Sequence, residues 1–232
     1  MSSSHMKRLA MPRSWPLTRK TDVWISRPRP CGHPIERSMA LGVILRDVLG
    51  VAQSMREAKR ALATRRILVD GRIATDMRRG VGLMDVLTVG EDNYRCILDG
   101  NGKLRYNPIS AKEAAQKLCR VEGKTTIKGG ITQLNLHDGR NILVDDATQY
   151  NSRDTLVLDV ESQKIVGHHK FEDGANCYLI GGSHIGAKAT MQSYTVKRSS
   201  KDNEVAFEDF GTIADHVFVT GDVTLPIDEV SA

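Results

Sequence analysis

Turn residues punctuate the second half of this chain so closely that no long helix fits between them. Asp99-Gly100-Asn101-Gly102 separates short strand-like runs at 94–98 and 104–106, His137-Asp138-Gly139 separates 132–136 from 141–144, and Ser162-Gln163 separates 156–160 from 165–167. Short β-prone runs divided by Gly, Asp and Asn read as antiparallel hairpins. One helix interrupts them at 110–118, opened by the Ser110-x-x-Glu113 capping signal. A last group of strands, near 177–180, 189–197, 205–210 and 217–220, reads as a small barrel.

The charge is as uneven as the fold pattern. Residues 1–80 hold 17 of the 33 Lys and Arg and 6 of the 28 Asp and Glu, a formal +11, which leaves 16 against 22, or −6, for the rest. A cationic end attracts a polyanion, a nucleic acid or an anionic membrane surface. At 232 residues the chain can bury a real core without staples, in two or three small domains. Cys31, Cys96, Cys119 and Cys177 form no close pair and read as free thiols of a reducing compartment. The longest apolar run, 39–45, is seven residues and contains Gly42. A membrane span needs roughly 20. The expectation is therefore a cytoplasmic protein with no membrane partner. The Ser-Ser-Ser-His-Met start at 2–6 looks like a cloning remnant.

Five of the seven prolines, Pro12, Pro16, Pro28, Pro30 and Pro34, lie before residue 35. Proline lacks the donor that helix interiors and central strands use, so residues 1–36 are expected to form an extended basic arm. It carries Lys7, Arg8, Arg13, Arg19, Lys20, Arg27 and Arg29, with Trp15 and Trp24 interleaved. Cations beside aromatic rings suit phosphates and stackable bases. Residues 36–49 repeat apolar positions at helical spacing and end at Gly50. A second helix starts at Ser54, with Glu57 as its capping acid and Met55, Ala58 and Leu62 on one stripe. Arg56, Lys59 and Arg60 occupy a separate arc, and Arg65 and Arg66 follow at the helix end. With Glu57 as the one acid among five cations, RNA contact is favoured over an ordinary mixed-charge face. The run 67–69, the turn Asp70-Gly71 and the return at Arg72 make a hairpin, and Arg72, Arg78 and Arg79 extend the basic surface.

This order resembles the small-subunit ribosomal protein family called S-four-e, found in archaea and eukaryotes. The likeness is carried by Lys7-Arg8-Leu9-Ala10, Trp15, Arg27-Pro28-Arg29-Pro30, Val69-Asp70-Gly71, Gly82-Leu83-Met84-Asp85-Val86, Lys117-Leu118-Cys119, His137-Asp138 and Gly181-Gly182. It implies an α+β, multidomain protein. An S-four-type RNA-binding domain at 37–90 would be followed by a β-rich central domain at 91–171, a KOW-type SH3-like barrel at 172–225 and a tail at 226–232. After Gly186 this chain has Ala187-Lys188-Ala189, where the barrel motif commonly has a glycine. The resemblance implies a structural, non-enzymatic constituent of the small subunit, partnered by its RNA and by neighbouring ribosomal proteins. The residues expected to meet RNA are Lys7, Arg8, Arg13, Trp15, Arg19, Lys20, Arg27, Arg29, Arg56, Lys59, Arg60, Arg65, Arg66, Arg72, Arg78 and Arg79.

Nothing in the sequence makes a strong catalytic or metal signal, so no cofactor, metal or small-molecule substrate is expected. Cys31-Gly32-His33 is at most half of a four-ligand zinc site. Gly123-Lys124-Thr125 lacks the earlier glycine of a phosphate loop, having Leu118 in its place. Gly100-x-Gly102 lies between strands, where a hairpin turn explains it. His168 and His169 read as surface residues on opposite strand faces. Ser183 and His184 sit in a turn without a partner carboxylate. The alternative function is an RNA-modifying enzyme, for which Arg140 and Asp145 are a faint echo of a pseudouridine synthase motif. A transcription-elongation accessory is a third class.

Overall fold

The apolar residues scattered through the basic arm decide how the chain begins. In the computed structural model, which describes residues 4–146, 148–223 and 225–226, Met11, Trp15 and Ile25 are buried. Strand β1 (His5–Lys7) pairs antiparallel with β2 (Trp24–Ser26). The expected free arm is therefore packed against the rest of its own unit. Prolines keep it irregular between the strands, yet its large apolar side chains still gain by leaving water. His5 and Met6, which looked like part of a cloning remnant, are strand residues. Residues 1–3, 147, 224 and the tail from 227 on lie outside the described residues.

The chain divides into two compact units, the first running to Leu98 and resuming over Lys103–Lys117, the second comprising Asp99–Gly102 and the chain from Leu118. In the first, β3 (Ser38–Ala40) runs into α1 (Leu41–Val43) and a π-helical stretch at Ile44–Val48, followed by α2 (Met55–Ala63). The helix expected from residue 36 thus starts at Leu41. Residues 38–40 pair instead with β6 (Gly80–Gly82), a distant partner that local spacing cannot reveal. Gly50, at φ 65°, ends the segment as expected.

After α2 come β4 (Ile67–Val69), β5 (Arg72–Ile73), and beyond β6 the strands β7 (Val86–Val89), β8 (Asp92–Leu98) and β9 (Leu104–Ile109). They form one sheet in the order β5-β4-β7-β8-β9. The ladder therefore crosses residue 90, where a domain boundary was expected, and ends beyond it on an edge strand. Pro108, which has no donor, sits on that edge, where proline is tolerated. Asp70 and Gly71 have φ of 50° and 71°, the two left-handed positions of a tight hairpin turn, and Gly71 adopts its own without steric cost.

Helix α3 (Ala111–Ala114) is shorter than expected, with a complete capping box between Ser110 and Glu113. Residues 116–118, expected to be helical, already belong to β10 (Gln116–Thr126), whose Val and Thr content favours a strand.

In the second unit β10 lies at the centre of a sheet with β11 (Thr132–Leu136), β12 (Asn141–Val144), β13 (Thr155–Asp159) and β14 (Ile165–His169), in the order β12-β11-β10-β13-β14. Alternate residues of β11 are buried, and Leu134 and Leu136 meet Cys119, Val121, Leu156 and Leu158 in one cluster. The remaining strands are β15 (Asn176–Leu179), β16 (Lys188–Thr190), β17 (Ser193–Thr195), β18 (Glu204–Ala206), β19 (Gly211–Ile213) and β20 (Val217–Val219). They form two three-stranded sheets, β16-β15-β20 and β17-β18-β19. Cys177, Leu179, Met191, Val205, Phe207, Ala214, Val217 and Val219 fill the space they enclose. Arg120 of β10 donates to the carbonyls of Asp215 (2.9 Å) and Val217 (3.0 Å), tying the five-stranded sheet to this cluster.

Candidate nucleic-acid interface

Helix α2 separates packing from charge by its spacing alone. Ala58 and Leu62 are buried, while Arg56, Lys59 and Arg60, three and four residues apart, are exposed on another face. Ser54 Oγ accepts from the Glu57 N–H at 3.3 Å. The Glu57 carboxylate reaches one residue further back than a capping box requires and accepts from Gln53 N at 2.8 Å. The one acid of the helix is thereby occupied at its N-terminus, where the helix dipole also favours it.

At the other end Arg65 has φ 59° and donates its N–H to Leu62 O. Glycine is usual at this left-handed position, since a Cβ costs about 1 kcal/mol there. Arg65, Arg66 and Arg72 are all exposed. Among the described residues none of Arg56, Lys59, Arg60, Arg65, Arg66 and Arg72 forms an ion pair within the chain. Six cations in 17 residues thus keep their charge available to an external anion, and Arg60, Arg65 and Arg66 lie in or just after the last turn of the helix, where cations are favourable.

The arm's residues sort differently. Lys7, Arg13, Lys20 and Arg27 are exposed and make no side-chain ion pair among the described residues. Arg8 is buried, donating from Nε to Thr18 O (2.6 Å) and pairing with Asp22 (3.2 Å). Trp15 is 1% exposed, with its indole N–H donating to Ser38 O at 2.9 Å. Neither is the surface group expected from the sequence. Arg19 bends back to Leu9 O at 2.9 Å, and Arg29 pairs with Asp76 at 2.7 Å. Arg78 Nε donates to Arg27 O and Arg79 to Val69 O. Arg27, Arg29 and Arg78 nonetheless line one open pocket of about 310 Å³, together with Cys31 and His33.

Beneath this surface lies a buried ionic cluster that sequence reasoning missed. Lys117 Nζ, fully buried, contacts Asp70 Oδ2 at 2.8 Å and Asp85 Oδ1 at 2.5 Å. His33 Nε2 meets the same Asp85 oxygen at 2.9 Å, and the Gly82 and Val86 N–H groups donate to Asp85 and Asp70. Burial by itself would raise the Asp85 carboxyl. The Lys117 charge, then His33 and the Gly82 N–H, overcome that and hold it well below the usual carboxylate range. Gly82 is required by this contact, because a Cβ there would lie 2.4 Å from the His33 ring. The hairpin turn of β4 and β5 is thus anchored to the arm at His33 and to the start of β10. The one available signal was that Asp70, Asp85 and Lys117 all fall within the segments carrying the family likeness.

The sites weighed as catalytic dissolve into structure. His33 is engaged by Asp85, and Cys31 Sγ donates to His33 O. Lys124 donates to Tyr150 O from within a strand. His168, expected at the surface, is half-buried and bonded to the buried Asp154 at 2.8 Å. His184 stacks on Phe210, and Arg140 pairs with Asp138 at 3.1 Å. Among the described residues no three His, Cys, Asp or Glu are grouped to hold a metal, and no helix is long and apolar enough to cross a membrane.

Comparison with known proteins gives this arrangement its class. The family model described as Ribosomal family S4e matches residues 90–165, and that of the RS4NT (NUC023) domain matches residues 2–36. The crystal structure of the 30S ribosomal protein S4e from Thermoplasma acidophilum superposes with a TM-score of 0.71 at 33% identity, covering 80% of this chain and 95% of that one. These matches define a strand-rich protein of the ribosomal S4e kind, a structural class. Small ribosomal subunit protein eS4 of Methanosphaera stadtmanae is 41% identical over 226 residues, covering 95% of this chain and 93% of the relative. That of Methanococcus aeolicus is 40% identical over 231 residues, covering 94% of each. The chain belongs to the small ribosomal subunit protein eS4 family.

Proposed function

We propose that this protein works in the cytoplasm as a structural constituent of the small ribosomal subunit. It binds ribosomal RNA through the cationic face of α2, the following arginines and the exposed cations of the arm, and so supports subunit assembly and translation. In this reading residues 37–90 act as an S-four-type RNA-binding domain, continued structurally by β8 and β9. Residues 91–171 are the family's central domain and 172–225 a KOW-type barrel.

The observation that carries the proposal is the set of six exposed cations from Arg56 to Arg72, none of which forms an ion pair among the described residues. Affinity and register come from phosphate contacts, while an RNA helix offers little base readout in its deep, narrow major groove, so specificity comes from RNA shape. Each neutralised phosphate releases counterions and steepens the salt dependence. With six to ten such contacts, affinity for a small-subunit rRNA transcript falls about a thousand- to a hundred-thousandfold between 50 and 200 mM salt. Changing Arg56, Lys59 and Arg60 to Ala lowers the slope by about three. A complex insensitive to salt overturns the proposal.

A further inference from the structure

The two tryptophans of the arm have opposite surroundings. Trp15 is 1% exposed, whereas Trp24 is 55% exposed. The register of β1 and β2 explains the difference, since His5 lies opposite Ser26, Met6 opposite Ile25, and Lys7 opposite Trp24. Side chains alternate between the faces of a strand. Met6 and Ile25 share the inner face, where Ile25 is 3% exposed, and His5, Lys7, Trp24 and Ser26 share the outer one. There the His5 ring stands edge-on to the indole, with centroids 4.9 Å apart and planes at 82°. Such a contact props the indole while leaving ring surface open. Val23, its sequence neighbour, is 66% exposed, and Leu9, just after β1, is 65% exposed.

The charge around this aromatic has one sign. From residue 7 to residue 29 the only acid is Asp22, and it is paired with the buried Arg8. Lys7, Lys20 and Arg27 are exposed and form no ion pair among the described residues. An apolar protein surface closing over Trp24 would desolvate Lys7 with nothing to balance it. A nucleotide offers a π-face to the indole and a phosphate to the ammonium together.

We infer that the outer face of the β1–β2 pair is a stacking platform on which Trp24 takes an unpaired RNA base, with Lys7 meeting its phosphate. This rests on the rRNA-binding reading and adds to it a single-strand site distinct from the phosphate-binding face of α2.

The test uses the full chain and two labelled probes, a single-stranded adenosine 12-mer and an RNA duplex of equal length. Trp24 is more than half exposed and outside the core, so Trp24→Leu keeps the fold, with an unchanged melting temperature as the control. It weakens single-strand binding about 5- to 150-fold, the equivalent of one stacked base, while the duplex affinity and both salt slopes stay unchanged. Trp24→Phe, which keeps a ring, recovers most of the loss. The tryptophan emission quenched by the single strand in the natural protein is absent in Trp24→Phe. If Trp24→Leu binds the single strand as the natural protein does, the platform is refuted while salt-dependent duplex binding keeps the parent reading intact. Unchanged RNA binding combined with poor incorporation into small subunits assigns the patch to a protein neighbour and likewise refutes it. If no form of the protein binds either probe, both readings fall.

Discussion

Lys117 holds an ammonium out of water between two carboxylates. The pairing is balanced only while all its members are present, since a buried charge without its partner costs several kcal/mol. Lys117→Met should therefore destabilise the protein by about 3–5 kcal/mol in urea unfolding, despite keeping the side-chain volume. The sign of the pH dependence follows from Asp85, whose carboxyl is held below its ordinary value. Its contribution is fully present above the unfolded pKa of about 3.9 and is lost as pH falls below it toward the depressed folded value. Asp85→Asn should thus be less stable than the natural protein at neutral pH, with the difference shrinking as acid is added below about pH 4. A constant difference across that range would exclude the linkage. The cysteines supply a second residue-scale check. Cys96, Cys119 and Cys177 are buried, and burial pushes the Cys177 thiol up to about 12, whereas Cys31 is exposed. Ellman's reagent should titrate one thiol quickly in the native protein and all four in denaturant; rapid reaction of more than one without unfolding would contradict the packing.

At the scale of elements, α2 illustrates what its own residues can announce. The capping serine, the Ala58 and Leu62 stripe and the cationic arc are all local, and all appear where the spacing places them. The 132–136 and 141–144 strands were legible residue for residue for the same reason, a two-residue alternation bounded by His137-Asp138-Gly139. Residues 38–40 were not, because apolar residues at helical spacing are outweighed by a partner strand some forty positions away. Trp15 was misread by the same limit, its slot being set by Ser38 and not by its charged neighbours. Asp70 was legible as a turn residue, but its ion pair with Lys117 joins segments that no local pattern connects. Arg65 offers a prediction that separates structure from binding. Arg65→Gly relieves a left-handed backbone and should raise stability by about 1 kcal/mol, while lowering the salt slope of RNA binding by about one. A destabilised variant would show that the guanidinium serves the fold, and an unchanged slope would show that it meets no phosphate.

For the whole molecule, the charge asymmetry of the sequence survives folding only in part. Arg8 and Arg29 are paired with carboxylates of the first unit, and among the described residues the cations of α2 and its sequel are not. A sequence total of +11 therefore overstates the charge left for a partner, and burial decides which cations count. The proposed RNA-binding surface is made of the cations that stay exposed. The measurement that tests this most directly places a photo-crosslinking p-benzoylphenylalanine at Lys59 and irradiates assembled small subunits. The account predicts adducts to ribosomal RNA from that position, and none from the same probe at Ala61, about 200° around the helix from Lys59 and outside the arc of Arg56, Lys59 and Arg60. Adducts from Lys59 to protein alone would contradict it.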